Sequence, residues 1–274
     1  MSNLITRAIT GILFVIVLVG SILLSPYTFI LVFSLVCGFM LVEFYKLMNA
    51  HQGVNINVWT NMIGGLLLFL GSAVYSNGWE GKICYIPYLA YLLYLFIHEL
   101  YGKKPEPIRN WAYALLGQIY IALPLSLLNL IAFLDIDGTT RYRPLLLLGL
   151  FVFIWLNDTG AYVVGSRIGK RRLFERISPK KSWEGFFGGI VFSLAGGFIF
   201  SLFMKDISLV HWLVMALIVS IFSTWGDLSE SLLKRTIGVK DSGTKLPGHG
   251  GFLDRFDSVL LACPAVVIYF ELIF

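Results

Sequence analysis

Apolar residues fall along this chain in long blocks, and the polar residues gather between them. The blocks lack the short apolar–polar alternation of half-buried strands. A membrane-spanning helix needs about 20 mostly apolar residues. Runs of that kind lie near 8–24, 27–48, 59–77, 83–101, 110–134, 144–166, 184–204, 208–226 and 258–274. The pattern predicts about nine transmembrane helices in an all-α, polytopic integral membrane protein, with residues 1–274 forming a single membrane-embedded unit. The second and third runs are interrupted by Asn and Gly, and the eighth continues past Trp225 into a polar extension. The first run follows a short basic start, Met1 to Arg7, as a signal peptide would. It has no small-x-small cleavage site and further spans follow, so it reads as a retained first helix.

Composition strengthens this picture. Hydrophobic residues make up 57% of the 274 and charged residues 14%, against about 25% charged in an ordinary soluble domain. The same balance excludes a disordered chain, a disulfide scaffold and a nucleic-acid-binding module. Cys37, Cys84 and Cys263 are odd in number and widely spaced, and act as small hydrophobes. The net charge of +5 is first a topology signal, because basic loops stay cytoplasmic. Arg7, Lys46, Lys103, Lys104, Arg109 and two late basic stretches fall on one side. Only Lys82, Arg141, Arg143 and Lys205 fall on the other. The N-terminus and both late loops are therefore expected in the cytoplasm, in a multi-pass protein of the cell inner membrane.

Those two stretches, with their helix ends, hold ten charges each: Asp158 to Glu184, and Asp227 to Asp257. In the second, Asp227, Ser231 and Lys234 recur at i, i+4 and i+7, one stripe of a helix. A glycine-rich, non-helical segment from Gly238 to Gly251 follows, and then Asp254, Arg255 and Asp257 at the expected start of the last helix. Glycines ahead of a helix N-terminus let backbone N–H groups approach phosphate oxygens. Lys234, Arg235, Lys240 and Arg255 suit phosphate neutralisation. Asp227 and Asp254 are hard oxygen ligands of the kind Mg²⁺ uses beside substrate phosphates. The parts point to metal-assisted phosphoryl or nucleotidyl transfer.

Residues 231–257 resemble the signature of the phosphatidate cytidylyltransferase (CDP-diacylglycerol synthase) family. The pattern is Ser-x-apolar-Lys-Arg, four residues, Lys-Asp, a linker, then Pro-x-His-Gly-Gly-apolar-x-Asp-Arg-apolar-Asp. Ser231, Lys234, Arg235, Lys240, Asp241, His249, Gly250, Gly251, Asp254, Arg255 and Asp257 meet its fixed positions. The nine-helix pattern and the length also resemble the bacterial family. The resemblance implies that CTP and phosphatidate give CDP-diacylglycerol and pyrophosphate, for phospholipid biosynthesis. It also implies Mg²⁺, with a second cation such as K⁺, and a homodimer. Asp227 and Asp254 would hold the metal, and Asp241, Asp257 and the four basic residues would complete the catalytic set. Ser231, Gly250 and Gly251 would bind substrate. His249 suits a phosphate contact, proton donation to pyrophosphate, or the capping of a turn.

The first stretch, Asn157 to Tyr162 and Ser178 to Gly185, is also similar to family segments. Asp158 interrupts an apolar run, where a carboxylate is a functional candidate by default. Ser178-Pro179 reads as an N-cap and first helical position, which puts Lys180 and Lys181 in a first turn facing phosphates. Asp158, Lys180 and Glu184 join the site as substrate-binding residues. Arg167 to Arg176 read as anchors for anionic lipid. Glu43, Glu99 and Glu271, near helix ends, read as snorkelling or structural, with Glu43 the one held open for function. Residues 1–109 carry no diagnostic motif, and 144–274 carry them all. Alternatives are a related enzyme acting on an ether or polyprenyl lipid phosphate, and a transporter of phosphorylated metabolites. Transporters pair broken helices at the midplane, whereas these charges gather at one interface.

Overall fold

A computed structural model of the chain describes residues 3–78, 81–102, 104–136, 138–205, 207–243 and 250–274, with side chains from residue 9 onward. The helices are α1 (Asn3–Leu24), α2 (Pro26–His51), α3 (Val58–Ser76), α4 (Ile86–Tyr101), α5 (Pro107–Gly117), α6 (Leu123–Ala132), α7 (Pro144–Ile168), α8 (Trp183–Phe203), α9 (Leu209–Thr236) and α10 (Leu253–Ile273). A 3₁₀ turn, Lys82–Tyr85, leads into α4, and a π turn, Gln118–Ala122, joins α5 to α6. Eight of the resulting segments are long and apolar enough to cross a membrane, and Ile9–Leu24 of α1 adds a shorter apolar stretch. The chain is a multi-pass, all-α membrane protein. Short antiparallel pairs, β1 (Asp135–Ile136) with β2 (Thr139–Thr140) and β3 (Arg172–Phe174) with β4 (Ser178–Ser182), are the sheet among the described residues.

Contacts group the chain into two compact units, Met1–Arg143 with Val239–Arg255, and Pro144–Gly238 with Phe256–Phe274. In the first, α2 packs on α3, and α3 on α6, around fully buried Phe29, Phe33, Phe44, Tyr45 and Phe69. Polar groups inside this apolar unit are bonded to each other. Tyr45 Oη donates to the Ala114 carbonyl, Gln118 Nε2 to Tyr45 Oη and the Asn61 carbonyl, and Tyr91 Oη to Asn61 Oδ1. Glu99 is buried, with Lys104 at 3.3 Å and Asn110 Nδ2 donating at 3.1 Å, so its role is structural.

In the second unit α7 and α8 make the most extensive helix pairing. Small residues let helix backbones approach in membranes. A Cβ on Gly160 would lie 2.8 Å from the Gly188 carbonyl oxygen, and one on Gly185 2.8 Å from that of Ala161. Fully buried Trp212 and Phe153 fill the α7–α8–α9 junction with edge-to-face ring contact.

Candidate active site

The second unit holds a cavity of about 640 Å³ lined by the end of α7, the β3–β4 hairpin, the start of α8 and the polar half of α9. Pockets that take small molecules span about 300–1,000 Å³. Asp158, Arg172, Lys180, Lys181 and Asp227 bring charge of both signs to its wall, and Tyr162 and Phe186 bring aromatic surface.

The hairpin corrects one expectation. Ser178–Ser182 is strand β4, not an N-cap with a first helical turn. Arg172 pairs with Ser182 and Phe174 with Ser178. The N-cap is Ser182, whose Oγ accepts from Gly185 N at 3.1 Å, so α8 begins at Trp183. Lys180 and Lys181 thus sit on a strand and still reach the cavity. Glu184 accepts from the backbone N–H groups of Lys170 and Arg171, anchoring the start of the hairpin, and is not among the cavity-lining residues.

Asp227 lies at the centre of the charged wall. Lys181 Nζ is 2.6 Å from its Oδ2, and Ser231 Oγ donates to its Oδ1 at 3.2 Å, one helical turn on. Gly226 brings α9 against the backbone of α10, since a Cβ there would lie 2.6 Å from the Asp257 carbonyl oxygen. Half-buried Asp257 consequently interacts electrostatically with Asp227, Asp158 and Lys234. Lys234 pairs with Glu230, which is fully buried. Beneath Asp158, the buried Asn157 amide donates to Ser223 Oγ and Thr224 Oγ1 and accepts from Ser220 Oγ. This bonded network fixes α7 to α9 one residue before Asp158 and three before Asp227. Arg172, expected as an anchor for anionic lipid, lines the cavity instead, as does Lys181, which was expected to face phosphates. Glu230 and the Asn157 network had no role in the sequence reading, where the Asn157-Asp158 pair inside an apolar run was the available signal.

The glycine-rich segment lies in the first unit, and its described part is organised by carboxylates. Asp254 Oδ2 accepts from Ser242 N at 2.9 Å, Ser242 Oγ at 2.9 Å and Gly251 N at 2.8 Å. Glu43 Oε2, from α2, accepts from Leu253 N at 3.1 Å. Gly250 adopts φ +81°, a left-handed conformation, and a Cβ on it would lie 2.6 Å from Asp254 Oδ2. The N–H groups of Gly251 and Leu253, at the start of α10, are therefore held by protein carboxylates. Arg235, Lys240, Asp241 and Arg255 are exposed. His249 lies outside the described residues.

Among the described residues, no group of three or more His, Cys, Asp or Glu is arranged to hold a metal. Mg²⁺ does not need one, because it is bound through one or two carboxylates, with waters and substrate phosphates completing its shell. Asp227, with Asp257 and Asp158 in electrostatic range, meets that requirement.

A family model described as the cytidylyltransferase family matches residues 5–273. A phosphatidate cytidylyltransferase of Staphylococcus saprophyticus is 32% identical over 264 residues, 96% of this chain and 97% of its own. One of Bacillus subtilis is 40% identical over 182 residues, 66% of this chain and 65% of its own. One of Staphylococcus epidermidis is 48% identical over 120 residues, 43% of this chain and 46% of its own. With its model spanning nearly every residue, this membrane protein belongs to the cytidylyltransferase family.

Proposed function

We infer that the chain transfers CMP from CTP to the phosphate of phosphatidate, yielding CDP-diacylglycerol and pyrophosphate. The observation that carries this reading is the cavity wall where Lys180, Lys181 and Arg172 face Asp227 and Asp158, in a chain of this family. An oxygen of the lipid phosphate attacks the α-phosphorus of CTP. The bond from that phosphorus to the bridging oxygen breaks, and its electron pair leaves on pyrophosphate. The lipid phosphate is already anionic at neutral pH, so no strong base is required; repulsion between two anions is the barrier.

Lys180, Lys181 and Arg172 counter that repulsion by binding phosphate oxygens in the cavity. Asp227, with Asp257 and Asp158 in electrostatic range, would hold Mg²⁺, which would supply Lewis-acid charge for the nucleotide phosphates. Lys234 and Arg235, at the end of α9, offset charge on the departing pyrophosphate. Ser231 orients Asp227 by its hydrogen bond. The basic excess of the two late stretches supports a site facing the cytoplasm of a bacterial inner membrane. A homodimer is the proposed assembly.

Lipid choice is tested by competition. Phosphatidate, its ether analogue and a polyprenyl phosphate are offered together with labelled CTP. Label on phosphatidate supports the reading, and label confined to another lipid overturns it.

A further inference from the structure

We propose that Glu43 is a positioning residue for this reaction: from helix α2 it holds the turn that presents Asp254 and Arg255. The inference rests on the cytidylyltransfer reading, and it gives a catalytic task to the part of the chain that carries no motif. Glu43 is 5% exposed in a spanning helix, where a carboxylate is costly and marks function by default. Its Oε2 accepts from Leu253 N, 210 residues away, one of the N–H groups that a helix start leaves without an intrahelical partner.

The glycines around it are shaped to the carboxylate. A Cβ on Gly251 would lie 2.5 Å from Glu43 Oε2, and one on Gly243 3.0 Å from Oε1, so the backbone at both positions closes directly on this side chain. One helical turn earlier, Phe39 stacks on Phe252 with ring centroids 5.0 Å apart. Positions 39 and 43 thus grip consecutive residues, 252 and 253, on one face of α2. Asp254 Oδ2 binds the same backbone, accepting from the N–H groups of Ser242 and Gly251. Two carboxylates from distant parts of the sequence clamp one short piece of backbone. Asp254 and Arg255 follow immediately after it.

The test compares Glu43→Leu, which keeps bulk and removes the acceptor, with Glu43→Gln, which keeps an acceptor oxygen. Each is purified in detergent, and kcat and KM for CTP are normalised to folded protein from thermal unfolding and gel filtration. The proposal expects Glu43→Leu to lose about 10²-fold in kcat, the scale for misplacing catalytic groups by an ångström. KM should change little, and Glu43→Gln should recover most of the loss. Wild-type kcat in Glu43→Leu overturns it. So does a loss that tracks missing folded protein and is not recovered in Glu43→Gln. Absence of cytidylyl transfer by the wild-type chain would instead overturn the functional reading, which separates the two failures.

Discussion

Lys181 Nζ lies 2.6 Å from Asp227 Oδ2 on the wall of the cavity, with the two side chains 26% and 35% exposed. A partly solvated pair of this kind contributes little to stability. Its placement matters more, because an arriving phosphate competes for the lysine while a cation competes for the aspartate. Replacing Lys181 with Met should therefore leave the unfolding midpoint nearly unchanged. It should lower kcat/KM for CTP by about 10- to 100-fold, the worth of one charge-assisted hydrogen bond. Steady-state kinetics over a CTP series, beside thermal unfolding in detergent, check both halves.

Asp227 carries the metal assignment. Chelating divalent cations should abolish turnover, and added Mg²⁺ should restore it. Asp227→Asn should stay folded and lose turnover by at least about 10²-fold at any Mg²⁺ concentration, since both the ligand charge and the oriented carboxylate are gone. Near-normal activity in Asp227→Asn would remove it from the centre.

Asp254→Asn separates two roles of one side chain. The amide keeps an oxygen for Ser242 and Gly251 but loses the charge. Turnover should vanish while the thermal unfolding midpoint in detergent stays at the wild-type value. A lowered midpoint would make the carboxylate an anchor and nothing more.

Gly250→Ala places a side chain at φ +81° and against Asp254 Oδ2. The left-handed backbone alone costs about 1–2 kcal/mol. Helix content by circular dichroism should stay at the wild-type level, while activity falls at least about tenfold through the misplaced turn.

Most helices of this fold are legible in the sequence because each must supply its own apolar length. The runs at 144–166 and 184–204 match α7 and α8 within a few residues. The hairpin was not legible. Ser178-Pro179 carries a helix-start signal, and β3 and β4 are short and basic, so no apolar alternation marks them as strands. The cap is Ser182, whose Oγ accepts from Gly185 N, and the pairing of Arg172 with Ser182 keeps the residues before it in a strand. Asp158, Lys180 and Asp227, all singled out in the sequence, line the cavity; Asp158 stands out there as a charge inside an apolar run. The grip of Glu43 on Leu253 spans 210 residues, and no local pattern records it.

The central claim is chemical. The most direct measurement follows purified protein in phosphatidate-containing vesicles with Mg²⁺ and CTP labelled at the α-phosphorus. The account predicts label moving into a lipid identified by mass as CDP-diacylglycerol, with one pyrophosphate released per lipid formed, and neither product in Asp227→Asn. Label that stays in free nucleotide, or release of inorganic phosphate in place of pyrophosphate, would contradict it.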